Sequence, residues 1–370
     1  MLTIRCLTNL EEFASLRESW TVLLKTSETK TTFLTWEWLY TWWLNFGDGN
    51  SLYLITVWRD KHLAGIAPLM LTQKNKWGLK LRLLTNIAYH DADISGFIVA
   101  DGDNEALGAL CGAIRQKSEE WQVFELVETP AAQLNKILQQ GCFSTSDYLI
   151  RVENNLHLHI PITTDWATYY GSLSKNLKHS IKRRLTRIEK EGKKTHFRRY
   201  IGAEVTQKHL EEMFAINQYG NFPELYQTQE QKTYHYMLLE NMRESGYLYI
   251  SFLDLDETPI VYQYGFIFQE RYEFWRAGFD SKYSDYAPGT LLLFLILQDN
   301  YLRGFSEIDL LRGLEDYKRR WIVQERDYQH LYVIQRKDLI SSLLMIWAPK
   351  IKSHLLNLFA GVKHGFGKAS

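Results

Sequence analysis

The chain of 370 residues contains little cysteine and little proline, and it has no long apolar run. Its three cysteines, Cys6, Cys111 and Cys142, are far apart and lack CxxC spacing. This pattern argues against a disulfide-stabilised scaffold and against a zinc site, and it fits a reducing compartment. No stretch reaches the roughly 18 apolar residues that a membrane-spanning helix needs, and the first residues do not resemble a signal peptide. We therefore expect a cytoplasmic protein.

An excess of charge of one sign is also absent, because 43 Lys and Arg residues balance 43 Asp and Glu residues. The whole chain is therefore not a polycation that binds nucleic acid or a membrane through its net charge. Hydrophobic residues make up 45% and charged residues 23%, as in an ordinary globular protein. The length predicts about two domains. Aromatic residues, at 14%, suffice for a large core and a binding cleft.

Apolar runs typical of strands alternate with helical patterns along the whole chain, which predicts an α/β fold. The order of elements in the first half recurs in the second. Residues 52–55 resemble residues 248–251, and residues 124–126 resemble residues 308–310. We therefore predict an internal duplication with a boundary near residue 155.

A strand is predicted over residues 271–279, followed by a helix that starts at Pro288 and Gly289. A helix start offers free N–H groups and the positive end of the helix dipole to a phosphate. Pro288 suits the first helical position, and Gly289 permits close approach of the backbone. In the first half, the corresponding helix start is surrounded by acidic side chains that would repel a phosphate, namely Asp101, Asp103 and Glu105.

Several short blocks of the second half follow one another in a distinctive order. They are Gly-Phe-Asp at 278–280, Ala-Pro-Gly-Thr-Leu-Leu at 287–292, Gly304, Asp-Leu-Leu-Arg-Gly at 309–313 and Tyr-Lys-Arg-Arg-Trp at 317–321. Residues 174–177 and the aromatic residues at 33–38 and 42–43 add to the pattern. The order resembles GNAT-superfamily acyltransferases of the CelD (cellulose biosynthesis)-like type, which are related to the Fem-type aminoacyltransferases with tandem GNAT domains. Ala287 departs from the pattern, because many relatives have Ser there.

The resemblance implies an α/β (α+β, mixed-sheet) fold of tandem GNAT-like domains, each a mixed, largely antiparallel sheet flanked by helices. Residues 1–155 would form a degenerate N-terminal domain that serves as scaffold and as one wall of the acceptor cleft. Residues 156–336 would form the catalytic domain that binds acyl-CoA. Residues 337–370 would form an amphipathic helical tail.

The resemblance also implies acetyl-CoA or another acyl-CoA as donor, and no metal. The strand before the Pro-Gly start would pair with the pantetheine amides, and the helix start would bind the pyrophosphate. Arginines further along would hold phosphates. The expected cofactor-binding residues are Trp275, Arg276, Ala277, Gly278, Pro288, Gly289, Thr290, Leu291, Arg312, Arg319 and Arg320.

Acyl transfer from a thioester needs a base, a group that stabilises the oxyanion and a proton for the thiolate. The second half contains no cysteine, so an acyl-cysteine intermediate there is excluded and direct transfer is favoured. By resemblance to the Fem proteins, Lys318 would stabilise the oxyanion. Tyr317 could protonate the thiolate, and Glu315, Asp316 or Asp309 could act as base. The alternative is a salt-bridged loop without catalytic residues.

Residues 175–199 contain eleven Lys or Arg and only two acidic residues. Leu177, Ile181, Leu185 and Ile188 form one apolar stripe, which predicts an amphipathic helix with a basic face. The face could bind an anionic acceptor, CoA phosphates, a membrane surface or RNA, or it could be only solvated. Nucleic acid is disfavoured because no RNA-binding motif is present.

The loop at residues 89–93 is a second candidate contact for the acceptor, with a polar surface loop as the alternative. The expected acceptor-binding residues are His90, Asp93, Lys182 and Arg183. The segment 339–359 is also amphipathic, and it could attach to the inner face of a membrane or pack on the protein.

These features predict a bacterial, cytoplasmic, acyl-CoA-dependent N- or O-acyltransferase. Its acceptor would be a small molecule or sugar, such as a sugar nucleotide or a precursor of a surface polysaccharide. Two alternatives remain: a Fem-like transferase that uses aminoacyl-tRNA, and an inactive module that binds an anionic ligand or a membrane surface.

Overall fold

A computed structural model describes residues 1–76, 78–220 and 222–338, which form one mixed sheet of thirteen strands with helices on both faces. The predicted tail therefore lies outside the described residues, except for Lys337 and Asp338. None of the helices within the described residues is long and apolar enough to cross a membrane.

The strands are β1 Leu2–Leu7, β2 Ser51–Arg59, β3 His62–Lys76, β4 Leu79–Asn86, β5 Ile98–Val99, β6 Val123–Pro130, β7 Tyr148–Pro161, β8 Thr195–Ile201, β9 Leu248–Leu255, β10 Thr258–Phe268, β11 Arg271–Phe279, β12 Glu307–Arg312 and β13 Gln324–Gln335. The helices are α1 Leu10–Ser15, α2 Arg17–Thr26, α3 Trp36–Phe46, α4 Asn104–Gln116, α5 Ala131–Gln139, α6 Trp166–Ser172, α7 Lys175–Lys190, α8 Gln207–Asn217, α9 Gln229–Met242, α10 Pro288–Arg303 and α11 Asp316–Arg319.

The sheet has the order β1-β2-β3-β4-β6-β13-β7-β12-β11-β10-β9-β8, with β5 paired to β3. Each half has four antiparallel strands followed by a parallel pair, β4 with β6 and β11 with β12. The segments that resemble each other in sequence occupy matching strands, β2 with β9 and β6 with β12. The predicted class, an α/β fold with mixed, largely antiparallel sheets in two similar halves, is confirmed.

The last strand of each half lies in the sheet of the other half. β7 follows α5 in sequence but pairs with β12, and β13 ends the second half but pairs with β6. β7 and β13 also pair with each other, from Gln324 opposite His159 to Gln335 opposite Tyr148. The predicted boundary at residue 155 lies inside β7, so the chain crosses between the halves within the sheet.

Two layers of helices cover the sheet. On the face that we call the front, α1–α3 and α8–α9 share one apolar cluster that spans both halves. On the back, α4 and α5 pack on the first half, and α6, α7 and α10 pack on the second. Asn241 of α9 donates a hydrogen bond of 2.7 Å to Thr41 of α3, which joins the halves above the sheet.

Helix α7 is shorter than the predicted basic helix. It begins where Ser174 accepts a hydrogen bond from the N–H of Leu177, as predicted. It ends at Lys190, because Gly192 has φ 72° and turns the chain. Residues 195–201 then form β8, so the basic residues at 198 and 199 belong to a strand. The predicted helix over 175–199 was therefore too long.

A β-bulge separates β11 from its parallel neighbour. Tyr264 of β10 faces Arg276, whereas Phe266 faces Glu273, so β11 has one extra residue there. Gly265 lies opposite the bulge, and a Cβ at this position would be 2.2 Å from the carbonyl oxygen of Glu273. The absence of a side chain at residue 265 permits the close approach of the two strands.

Replacing Gly265 with Ala should therefore lower the free energy of unfolding by about 1–3 kcal/mol, because the two strands must move apart. Gly112 of α4 is the matched control, since a Cβ there meets nothing within 4 Å. Gly112→Ala should raise stability by up to about 1 kcal/mol. Urea unfolding of both variants measures the difference, and equal stability of the two would contradict the described packing at the bulge.

A gap between two parallel strands as the candidate active site

The parallel strands β11 and β12 pair over only three positions. Residues 271–273 face residues 307–309 in register. Beyond these positions, the described residues of the two strands are not paired with each other, and the bulge in β11 begins at the same point. The wedge between them leaves backbone N–H and C=O groups free along one side of β11. An extended amide chain could pair with that side.

Helix α10 begins at the same end of the sheet as this gap. β11 leads through a 3-10 turn into Ala287, which has φ 47°, and then into Pro288 at the first helical position. No side chain caps the helix, and a Cβ at Gly289 would meet nothing within 4 Å. The first turn thus offers open space, N–H groups and the positive end of a dipole, which together suit an anion.

The corresponding helix start in the first half is already occupied by a carboxylate. Asp103 caps α4 by accepting a 3.0 Å hydrogen bond from the N–H of Ala106. Arg59 lies 2.8 Å from Asp103 and 2.9 Å from Glu105. The gap between β4 and β6 is bridged as well, because the side-chain oxygen of Asn86 accepts from the N–H of Val127 at 3.0 Å.

The basic face of α7 borders the segment before α10. The Arg187 guanidinium lies 5.1 Å from the Tyr286 ring centre, and Lys193 donates to the Tyr286 hydroxyl at 2.6 Å. We call Arg183, Arg184 and Arg320 the cationic cluster. Partial burial and its two cationic neighbours lower the pKa of Arg184. Its Nε has no hydrogen-bond partner among the described residues.

Lys318 is buried at the end of β12, and its ammonium group is surrounded by acceptors. It donates to the carbonyl oxygens of Arg312 at 2.7 Å and Gly313 at 3.4 Å. The Glu315 carboxylate lies 3.0 Å away. The arrangement fixes the turn after β12. Tyr317 in the same segment is 42% exposed.

Asp309 lies within the sheet beneath the gap and is fully buried. Its Oδ1 accepts from the N–H of Leu311 at 2.8 Å, and its Oδ2 is 3.4 Å from Arg326. Leu311 has φ 58°, a conformation that the carboxylate helps to hold.

The predicted cofactor residues lie at three places around the gap. Trp275 packs in the front aromatic core, with its ring centre 5.0 Å from that of Trp38, and the Arg276 guanidinium covers the Trp275 ring at 4.4 Å. Gly278 is enclosed, because a Cβ there would be 2.7 Å from Tyr262. The remaining residues are Ala277, exposed on β11, then Pro288, Gly289, Thr290 and Leu291 in the first turn of α10, and Arg312, Arg319 and Arg320 after the gap.

The loop at residues 89–93 crosses from the first half to the gap. Asp93 Oδ1 is 2.5 Å from Arg312 Nε, and Arg312 also donates to the carbonyl of His90 at 3.1 Å. Asp91 accepts from the Trp42 indole at 2.8 Å and lies 3.7 Å from Arg276. The structure thus brings His90 and Asp93 to the ends of β11 and β12, whereas Lys182 and Arg183 lie on α7 at the back.

Burial raises the pKa of Asp93 to about 6, although Arg312, His157 and Arg276 favour its charged form. Burial lowers the pKa of His90, and the nearby charge of Lys74 adds to this effect. The pKa of Asp93 is therefore closer to neutrality than that of a surface aspartate. The pKa of His90 is lower than that of a surface histidine.

A buried polar cluster beside Asp93 escaped the sequence analysis. Glu128 lies 2.9 Å from His157 and 3.2 Å from His330, and it accepts from Asn155 at 2.7 Å. Its members come from β6, β7 and β13, and only the strand exchange makes these strands neighbours. The local sequence gives little indication of the cluster, because β7 and β13 contain many other polar residues. Burial opposes ionisation of Glu128, but interactions with His157 and His330 outweigh it and lower its pKa to about 2.

This cluster should make stability depend on pH in both directions. The pKa of Glu128 is lowered from 4.5, so its contribution is present above about pH 4.5 and is lost as the pH falls towards 2. The interaction with Glu128 raises the pKa of His330 from 6.5, so that contribution is lost as the pH rises through the raised value.

We expect Glu128→Gln to cost on the order of 2–3 kcal/mol, most between about pH 4.5 and 6.5, with a smaller cost on either side. Urea unfolding of both proteins from pH 4 to 8 measures it. A difference that does not change with pH would contradict the ionised pairing.

Comparison with known proteins agrees with this geometry. Residues 175–319 match the family model of the acetyltransferase (GNAT) domain. The fold is similar to the crystal structure of FemX, at 12% sequence identity and a TM-score of 0.61, over 92% of this chain and 99% of that chain. No curated protein matches the sequence.

Two further structures have a similar fold. One is the C-terminal domain of a putative lysylphosphatidylglycerol synthetase from Agrobacterium fabrum, at 10% identity and a TM-score of 0.54, over 90% of this chain and 95% of that chain. The other is L-PGS from Bacillus licheniformis, at 10% identity and a TM-score of 0.54, over 89% and 95%. At such identities the likeness concerns the fold. The second half thus resembles a GNAT acetyltransferase domain, within a chain whose fold is similar to that of FemX.

Proposed function

We propose that the protein is an acyl-CoA-dependent N- or O-acyltransferase of the CelD-like type, with acetyl-CoA as donor and a polar acceptor. The observation that carries this proposal is the difference between the two helix starts. The start of α10 is uncapped, open and beside a gap between parallel strands, whereas Asp103 caps the start of α4. The match of residues 175–319 to an acetyltransferase domain supports the same half as the donor site.

The donor would bind from the back of the sheet. Its pyrophosphate would lie at the first turn of α10, near Gly289 and Thr290, where N–H groups and the dipole favour it. Its pantetheine arm would enter the gap and pair with the free side of β11. The cationic cluster would add charge for the phosphates.

The acceptor would approach from the front, between the halves. The 89–93 loop with Arg276 and Arg312 lines this side with paired charges and hydrogen-bonding groups, which suits an acceptor rich in hydroxyl or amine groups, such as a sugar. Its nitrogen or oxygen would attack the thioester carbonyl, and the carbon–sulfur bond would then break. Lys318 would supply positive charge near the oxyanion while it holds the turn after β12. Tyr317 remains our proposed proton donor to the thiolate.

Replacing Gly289 with Glu should raise the Kd for acetyl-CoA by about 100-fold or more, which equals roughly 2.7 kcal/mol. The new carboxylate would occupy the pyrophosphate position and repel it. Because a side chain at residue 289 meets open space, folding should survive. Isothermal titration calorimetry with acetyl-CoA measures the change.

Two control variants show whether the charge at residue 289 is what weakens the binding of acetyl-CoA. Gly289→Gln has the same shape without the charge and should weaken binding less. Gly112→Glu places the same acid on an open position of α4 and should leave affinity unaltered. Wild-type affinity in a folded Gly289→Glu protein would exclude α10 as the donor site.

A second candidate is a transferase that takes its acyl group from aminoacyl-tRNA. The observation that favours it is the length of the basic face, since Lys175, Lys182, Arg183 and Lys190 are exposed along α7. This row extends beyond what the few phosphates of one CoA require. An anionic membrane surface could use the same face, and the predicted tail at 337–370 could assist there.

The double variant Lys175→Gln/Lys182→Gln, which leaves the cationic cluster intact, distinguishes these donors. If the donor is acetyl-CoA, its Kd should change by less than about threefold. If the donor is aminoacyl-tRNA, affinity should fall and the slope of log K against log salt should decrease by roughly 0.7–0.9 for each lost phosphate contact. Calorimetry with acetyl-CoA and filter binding with charged tRNA measure both cases. Lys25→Gln/Lys61→Gln, exposed on the first half, is the control for general charge.

A further inference from the structure

Acyl transfer needs a base that can reach the acceptor, and two of the three carboxylates expected from the sequence already hold structure. Asp309 accepts from the N–H of Leu311 at 2.8 Å and lies 3.4 Å from Arg326. Glu315 is exposed and lies 3.0 Å from the Lys318 ammonium. Both oxygens of Asp309 therefore have partners, and the charge of Glu315 is balanced by Lys318.

Asp93 is differently placed, between the two strands that define the gap. Its Oδ1 is 2.5 Å from Nε of Arg312, the last residue of β12. Arg276, near the end of β11, is close enough for its charge to act on Asp93. None of the described hydrogen bonds ends on Oδ2 of Asp93. We propose that Asp93, which belongs to the first half, is the general base that takes the proton from the acceptor; this inference rests on the proposed function.

The groups around Asp93 keep it ionised near neutral pH while leaving it able to accept a proton. Burial raises its pKa to about 6, whereas Arg312, His157 and Arg276 lower it and Glu128 raises it. A base is most effective when its pKa lies near the working pH. An ordinary exposed aspartate, with a pKa near 3.9, would be a much weaker base.

His157 lies near enough to Asp93 for its charge to act on that carboxylate, and it would not touch the substrate. The ring is fully buried, stacks on Tyr328 at 3.8 Å and is held by Glu128 at 2.9 Å. Its Nδ1 has no hydrogen-bond partner among the described residues. Glu128 thus fixes the orientation of the ring through its other nitrogen, Nε2.

The chemical step balances without any co-reactant. The acceptor N–H or O–H gives its proton to Asp93 as its lone pair forms a bond to the thioester carbon. The carbon–sulfur bond then breaks, and its electron pair leaves as the CoA thiolate. The thiolate takes up a proton, and Asp93 returns its own proton to solvent. The products are the acylated acceptor and free CoA.

Asp93→Asn tests the proposal, because it keeps the shape of the side chain and removes the base. The assay follows thiol release from acetyl-CoA in a single turnover, with glucosamine and with water alone as acceptors. We expect acetyl-CoA affinity within about twofold of wild type and a rate lower by roughly 10²–10⁴-fold. The wild-type rate should rise with pH through about 6 and then level off. The variant should show no such rise.

Two further variants keep the test decisive if Asp93→Asn does not fold. Arg312→Gln removes a charge that lowers the pKa of Asp93, so the rise in rate should move to higher pH. If Asp93 had only a structural role, Arg312→Gln would not change the pH at which the rate rises. Asp91→Asn, two residues away, should change the KM for glucosamine but keep the rise near pH 6.

Three outcomes would overturn the assignment. They are an unchanged rate in Asp93→Asn, a rise near pH 6 that persists in that variant, and a wild-type protein that binds acetyl-CoA but releases thiol no faster than buffer does. Failure of the wild type to bind acetyl-CoA would instead refute the proposed function, so the two failures are distinguishable.

Discussion

The antiparallel pairing of β7 with β13 is the constraint on which the rest of the structure depends. Each strand completes the sheet of the other half, so the halves share one set of backbone hydrogen bonds. Separating them would expose a row of unpaired N–H and C=O groups on both strands, which is costly in water and more so in a core. The geometry between the halves is therefore fixed by the sheet itself and does not depend on a surface contact.

This fixed geometry lets a loop of one half serve the site of the other. The ends of β11 and β12 face the 89–93 loop, and the Asp93–Arg312 pair closes the distance between them. The polar cluster around Glu128 lies beside Asp93, on strands that come from both halves. Buried ion pairs of this kind add little stability over apolar side chains of the same size, because desolvation offsets their attraction, although the loss of one partner is costly. They do define where charges lie, which is what a site for group transfer requires.

The two halves also show how one plan can retain a ligand site in one copy and lose it in the other. Both have a parallel strand pair whose connection includes one long helix behind the sheet. In the first half Asp103 and Asn86 supply the hydrogen bonds that a ligand would otherwise make. In the second half Pro288 and Gly289 leave the helix start open. The free N–H groups there remain available because no side chain competes for them.

The sequence by itself determined the local features of this protein. The α/β class, the repeated order of elements, the Ser174 cap, the apolar stripe of α7 and the Pro-Gly start of α10 follow from periodicity, capping and backbone preferences, all of which act over a few residues. Only the tertiary structure decided the strand exchange, the bulge in β11 and the meeting of Asp93, His157 and Arg312. The strand exchange and the meeting of these three side chains depend on residues more than sixty positions apart, and the bulge depends on the register between two adjacent strands. The local sequence does not specify either kind of pairing. The burial that changes the pKa of Asp93 arises in the same way, because it exists only once both halves have closed around the loop.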